Sequence, residues 1–368
     1  LVARAIQVFS MNAPCTTVIP PLNPPIGGSQ RAVGLWLLTV CGAIAVMVAI
    51  GGVTRLTGSG LSITDWRPIT GTLPPLTGDH WQSEFEKYMG SPQHRLVFPN
   101  MTVEEFKGIY WWEWIHRFWG RVIGLIYAVP LLVFWVRRSI PQGWHLRLLL
   151  GLALGGAQGV LGWFMVQSGL VDRPSVSAYR LAAHLGLAVF IFALLFHWAL
   201  GLLIPASAKE SARLTALNRG LPVFLGLLGL QILYGGFVAG TKAAMAYPTF
   251  PGLGGGIWPA AATWMEPAWR NFFENTAWVA FIHRWLGTGL FVLGSSLGVY
   301  AAVRHSGWIR RTGAVLIALL GLQVLLGIVT TLKSVGHIPV LWGTVHQVNA
   351  LGVLAVTLVM LRLNRSRT

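Results

Sequence analysis

The feature that most constrains this chain is a run of eight apolar stretches, each long enough to cross a bilayer. They lie at roughly 33–53, 110–136, 147–168, 179–204, 220–241, 276–303, 311–332 and 340–361. About 20 residues rising 1.5 Å each span a hydrocarbon core of ~30 Å. Inside that core the backbone has no water to bond, so each stretch is predicted to be a helix that satisfies itself. Of the 368 residues 54% are hydrophobic and 10% charged, more apolar surface than a soluble core absorbs. The expected fold class is an all-α polytopic membrane protein whose solvent is the lipid bilayer.

The net charge of +16 does not point to nucleic acid, because the basic residues fall in short clusters between the apolar stretches. If the eight spans alternate, Arg137, Arg138 and Arg147, then Lys209, Arg213 and Arg219, then Arg304, Arg310 and Arg311, then Arg362, Arg365 and Arg367 share one side. The positive-inside rule makes that side the cytoplasm, with both termini there, and leaves the long segments 54–109 and 242–275 outside. Residues 1–32 read as a disordered cytoplasmic tail without a cleavable signal. Cys15 and Cys41, the two cysteines, supply neither a disulfide framework nor a CxxC metal site.

The chain also repeats itself. EWIHRFWG (113–120) matches AFIHRWLG (280–287), which pairs His116 with His283 at a spacing of 167 residues. GGAQGVLG (155–162) matches LGLQVLLG (320–327), pairing Gln158 with Gln323 at 165, and His184 pairs with His346 at 162. Each half holds four spans, so both have the same orientation, and the expectation is two four-helix bundles related by a pseudo-two-fold axis along the membrane normal. The implied division is 33–206 for the first half, 207–219 for a cytoplasmic linker, 220–361 for the second half and 362–368 for a tail.

Ionisable residues inside spanning helices are costly, so each is a functional candidate. His116, His184, His283 and His346 each stand five to seven residues inside the outer end of a predicted span, roughly 8–11 Å deep. Zinc or copper wants a third or fourth ligand that the second half does not supply. Two imidazoles on facing helices meet the axial needs of a haem iron. Gly120, Gly186, Gly287 and Gly343 beside them are candidates for close approach of a macrocycle, or for plain helix contact. Arg117 and Arg284, one residue after a candidate ligand, are candidates for haem propionates or for snorkelling to headgroups. His197 lies thirteen residues beyond His184, but Val129 and Val359 occupy the positions that a second haem pair would need, which disfavours a bilayer-spanning dihaem cytochrome.

The repeat fails at one place. Glu113 stands three residues before His116 and on its face, whereas Ala280 stands three before His283. The first half is therefore expected to be the working site and the second to hold a permanent haem. Burial would favour the protonated form of Glu113 and suit it to proton transfer, with an i,i+4 pair to Arg117 as the plainer alternative. Gln158 and Gln323 recur symmetrically and are expected to make interhelical hydrogen bonds.

Six segments resemble the haem A synthase family: GGVTRLTGSGLSITDWRPITGTLPPL (51–76), EFKGIYWWEWIHRFWGRVIGL (105–125), AAHLGLA (182–188), GGFVAGTKAAMAYPTFP (235–251), FIHRWLGTGL (281–290) and TVHQVNALG (344–352). The style of the first outer loop is similar to the alphaproteobacterial and mitochondrial branch, without the outer-loop cysteine pair of some bacterial members. The resemblance implies a bacterial inner-membrane enzyme with haem sites toward the periplasm. It implies that this enzyme oxidises a methyl group of haem O to the formyl of haem A for cytochrome c oxidase, by successive hydroxylation and loss of water. It further implies haem b on His283 and His346, substrate haem on His116 and His184, and Glu113 as catalytic carboxylate. Implied partners are haem O, haem A, an unidentified electron donor, haem O synthase, oxidase assembly factors and further copies of the chain, with no nucleic acid. A dihaem electron-transfer cytochrome and a haem transporter or chaperone are the alternatives that the residues alone leave open. Outer-loop turns around Arg55–Gly60 and Gly240–Lys242 are candidate lids, with Thr54, Arg55 and Lys242 as candidate propionate contacts. Trp111, Trp112, Trp114 and Trp119 read as an interfacial belt.

Overall fold

A computed structural model describes residues 27–67, 70–171, 173–204, 216–259 and 263–367. The expected N-terminal tail, with Cys15, and most of the 207–219 linker lie outside the described residues. The elements in order are α1 (Gly28–Leu56), α2 (Gly78–Met89), α3 (Pro92–Val97), α4 (Val103–Val136), α5 (His145–Leu170), α6 (Ala178–Leu203), α7 (Ala216–Thr241), α8 (Ala243–Ala246), α9 (Thr276–Arg304), α10 (Gly307–Leu332) and α11 (Val340–Arg367). Among the described residues eight of these, α1, α4, α5, α6, α7, α9, α10 and α11, are long and apolar enough to cross a membrane. All eight apolar stretches of the sequence are thus spanning helices of an integral membrane protein.

Several helices outrun their apolar stretches, and at one of them a side-chain cap fixes the polar start. The clearest case is α4, which begins seven residues before the expected 110. Thr102 Oγ1 accepts from Glu105 N at 3.3 Å, and Glu105 Oε2 accepts from Thr102 N at 2.8 Å. This reciprocal cap satisfies two groups that a helix start leaves open. The extra turns of α4 then pack on α2, which in turn touches α3. Tyr88 and Phe106 stack there at 5.1 Å, with Phe85, Tyr110 and Ile63 completing a small buried cluster. The first outer segment is therefore a folded cap and not a bare connection.

The spanning helices pack as two rings of four. In one, α1 touches α4 and α6, and α5 touches α4 and α6; in the other, α9 touches α7 and α10, and α11 touches α10 and α7. The rings meet through α1 with α11 and α6 with α7 and α11. A Cβ at Gly240 of α7 would come within 2.8 Å of Ala178 Cα on α6, and one at Gly236 within 3.1 Å of Ala182 Cα. Small residues one turn apart on both helices let the backbones close, which is how helices associate where the hydrophobic effect is spent. The main apolar core runs through both rings and includes Leu37, Leu195, Phe224, Leu316 and Met360. Leu125, Leu132, Val160 and Val292 are exposed on the outside, as a lipid-facing surface requires.

Candidate functional site

The four histidines fall two to each ring: His116 on α4 and His184 on α6, His283 on α9 and His346 on α11. The ring centres of His283 and His346 are 6.3 Å apart with planes at 71°. His184, His283 and His346 stand six or seven residues into their helices, as expected, but His116 is thirteen residues into α4, whose first turns belong to the outer cap. His197 is exposed on α6.

Each imidazole lies against a glycine of a neighbouring helix. A Cβ at Gly51 of α1 would be 3.1 Å from His116 Nε2, and one at Gly162 of α5 would be 2.9 Å from His184 Cε1. In the second bundle Gly235 of α7 faces His283 Cε1 at 3.5 Å and Gly327 of α10 faces His346 Cε1 at 3.0 Å. Carbon contacts are ordinarily about 3.5–4.0 Å, so three of the four seats have no room for a methyl group. The glycines singled out from the sequence serve elsewhere: Gly186 faces Leu233 across the α6–α7 junction and Gly343 faces Leu56 across the α1–α11 junction. Gly120 faces Met47 and Gly287 faces Gln231.

The glutamines bond across helices as expected, and their partner is the histidine itself. Gln158 Nε2 donates to the His184 carbonyl at 3.0 Å and lies 3.2 Å from its Nδ1. Gln323 Nε2 donates to the His346 carbonyl at 3.1 Å, and its own backbone oxygen is 3.1 Å from His346 Nδ1. Asn349 Nδ2 holds the Gln323 side chain by its Oε1 at 2.6 Å. A third glutamine, missed in the sequence because it has no counterpart in the other half, does the same for His283. Gln231 Nε2 donates to the His283 carbonyl at 2.9 Å and lies 3.1 Å from Nδ1. Amide donation to a carbonyl fixes which end of each glutamine is the nitrogen.

Glu113 is 2% exposed and surrounded by donors. Ser62 Oγ donates to its Oε2 at 2.7 Å and Ile63 N at 2.8 Å, while Arg117 Nη2 and Nε donate to Oε1 at 2.6 and 3.1 Å. The i,i+4 ion pair is thus present, and it corrects the picture of a carboxyl whose burial goes uncompensated. The cap loop reaches Glu113 because Arg117 also holds it: Nη2 donates to Ile63 O at 2.7 Å and Nη1 to Asp65 O at 3.0 Å. Arg284 repeats this clamp on the second outer segment, donating to Gly252 O at 2.7 Å and Tyr247 O at 2.6 Å. Ala280, the counterpart of Glu113, is buried and apolar. Both arginines therefore carry loops over the bundles.

Between the bundles a cavity of about 400 Å³ is lined by Arg55, Gly58, Gln93, Lys242, Met245 and His337, among others. Arg55 Nη2 donates to Ala239 O at 3.0 Å, and its Nε is buried without a partner. Lys242 follows α7 with φ +57°, as Gly58 follows α1 with φ +73°. A side chain in that left-handed conformation is strained by about 1 kcal/mol where glycine is not. Thr54 is not available to this cavity, because its hydroxyl is spent on Ile50 O and Trp112 O. Trp111 and Trp112 are exposed as belt residues are, whereas Trp119 points inward and donates to Ala43 O at 2.9 Å.

Residues 34–358 match the model of the COX15-CtaA family, described as cytochrome oxidase assembly protein. The chain belongs to this family. Among its relatives is the haem A synthase of Rhodospirillum centenum, 48% identical over 351 residues that cover 92% of each chain. The haem A synthase of Parvibaculum lavamentivorans is 43% identical over 92% of this chain and 96% of its own. That of Paracoccus denitrificans is 42% identical over 93% and 92% respectively. Among the described residues no group of three or more His, Cys, Asp or Glu side chains could hold a metal ion.

Proposed function

We propose that the chain is a haem A synthase, a membrane oxidoreductase that converts haem O to haem A, with His283 and His346 holding a resident haem b. In this reading His116 and His184 take the substrate haem. The observation that carries it is the set of four glycine-seated imidazoles, two per bundle, with a buried carboxylate beside only one pair. The fit to haem is supported by the second pair. Two imidazole–metal bonds of about 2 Å each, plus about 1 Å from each ring centre to its nitrogen, span roughly 6 Å, near the observed 6.3 Å. Haem iron supplies the oxidising chemistry when bound, and the protein supplies position and proton handling.

The chain's own residues divide the remaining work. Gly51 and Gly162 let the first pair of imidazoles sit close to α1 and α5. Glu113, one turn outward of His116, takes the proton of one hydroxyl of the doubly hydroxylated carbon at Oε2 and returns it to the other hydroxyl, which leaves as water as the formyl forms, and Ser62 and Arg117 hold that carboxylate in place. Arg117 and Arg284 keep the outer loops closed over the two bundles. Arg55 and Lys242 line the cavity between the bundles and supply cations for the propionates of haem O. The arginine-rich connections support an orientation with both termini in the cytoplasm and the haem sites toward the periplasm. Purified protein given haem O, reductant and dioxygen in aqueous buffer, followed by chromatography of the extracted haems, tests this reading. Hydroxymethyl or formyl haem is expected; a haem-loaded preparation that returns only haem O would refute it.

A further inference from the structure

Three of the four imidazoles are reached by a half-buried glutamine, and His116 is reached by none among the described residues. The difference comes down to one position. On α7, Gln231 stands one turn before the glycine seat Gly235, and its Nε2 is 3.0 Å from where Gly287 would carry a Cβ. On α1, Met47 stands one turn before the seat Gly51, and its Cε is 3.2 Å from the equivalent point at Gly120. Gly120 and Gly287 each follow their histidine by four residues. Met47 and Gln231 therefore fill the same place in their bundles, one with a thioether and the other with an amide.

The chemical consequence is specific. The Gln231 amide donates to the His283 backbone and contacts Nδ1 at once, which restrains the rotation of the imidazole. Its Oε1 is buried with no partner. Methionine offers a flexible chain and no donor. We infer that Gln231 is a positioning residue that locks His283 for permanent ligation, and that Met47 leaves His116 as the releasable ligand of the substrate haem. A resident cofactor needs both ligands fixed, whereas a substrate must enter and leave. The inference rests on the reading that these histidine pairs ligate haem.

Exchanging the two residues tests it. Haem-loaded protein carrying Gln231→Met, Met47→Gln or the apolar control Met47→Leu is mixed with excess apomyoglobin, and haem loss from each bundle is timed. The midpoint potential and low-spin spectrum of the resident haem are recorded alongside. Outer-shell partners of metal ligands are typically worth 10–100-fold in affinity, so Gln231→Met is expected to speed resident-haem loss by about that factor and to shift its potential. Met47→Gln is expected to slow loss from the substrate pair about tenfold, a gain that general destabilisation cannot produce. Met47→Leu should match wild type. Rates unchanged within about twofold in both exchanges would overturn the inference while leaving ligation intact. Unchanged haem occupancy in His283→Ala and His116→Ala would instead remove the ligation reading, and this inference with it.

Discussion

Replacing Gly327 by alanine is the perturbation whose size the structure sets most directly. The added methyl would stand 3.0 Å from His346 Cε1, 3.5 Å from Nδ1 and 3.7 Å from Nε2. Carbon contacts relax to about 3.5–4.0 Å, so the imidazole must retreat by roughly half an ångström. It has little freedom to do so. His346 Nδ1 is 3.1 Å from the Gln323 carbonyl, and Gln323 is itself tied to the His346 backbone and to Asn349. The retreat therefore strains that network or tilts the ring away from its axial position. Overpacking of this kind costs about 1–3 kcal/mol, and if it falls on the bound state it weakens haem b binding by about 5- to 150-fold. Haem titration of the haem-free protein, followed by absorbance, measures the loss. Two controls separate this from general damage. Gly321→Ala lies on the same helix with nothing within 4 Å of its Cβ and should bind haem as wild type does; Gly235→Ala meets His283 at an ordinary 3.5 Å and should lose little. Equal affinities in Gly327→Ala and Gly321→Ala would refute the reasoning that the glycine seats the ligand.

Glu113→Gln keeps the shape and removes the charge opposite Arg117, so haem A formation should fall by about 10²–10⁴ while resident haem and its spectrum persist; haem chromatography with absorbance spectroscopy checks both. Lys242→Gly relieves a left-handed side chain and should stabilise the protein by about 1 kcal/mol in a denaturant melt. The same variant should lose the preference of the enzyme for free-acid haem O over its dimethyl ester. Arg284→Ala removes the two hydrogen bonds to Tyr247 and Gly252, so limited proteolysis within 247–259 should become faster than in wild type, with the first outer cap unaffected. Thr102→Ala deletes the reciprocal cap of α4 and should cost about 1 kcal/mol in the same melt.

The eight spans were legible because lipid leaves the backbone no alternative to helix, so apolar length alone carries the signal. Their ends were not, since Thr102 and Glu105 extend α4 through capping that hydropathy does not see. The histidines and Glu113 could be read from the repeat and from its failure at Ala280. Their partners could not. Gly51, Gly162, Gly235 and Gly327 face the imidazoles from a neighbouring helix, and such a contact depends on helix rotation, whereas of the glycines near the histidines in sequence Gly186 and Gly343 serve helix junctions and Gly120 and Gly287 face Met47 and Gln231. Gln231 was invisible for a related reason, because its counterpart is Met47 and similarity between halves finds only what was kept. Arg117 and Arg284 were placed beside the right residues, but the carbonyls they hold belong to loops whose course no local pattern encodes. The donors around Glu113 come from that same loop.

The central claim is that two histidine pairs serve two haems in different roles. It is tested most directly by one measurement on purified wild type, His116→Ala, His283→Ala and Glu113→Gln, each supplied with haem O. Every sample is read for its resident-haem spectrum and for haem A in the extract. The account predicts that His283→Ala alone loses the resident spectrum, and that His116→Ala and Glu113→Gln keep it yet form no haem A. Loss of the resident spectrum in His116→Ala, or undiminished haem A in Glu113→Gln, would contradict it.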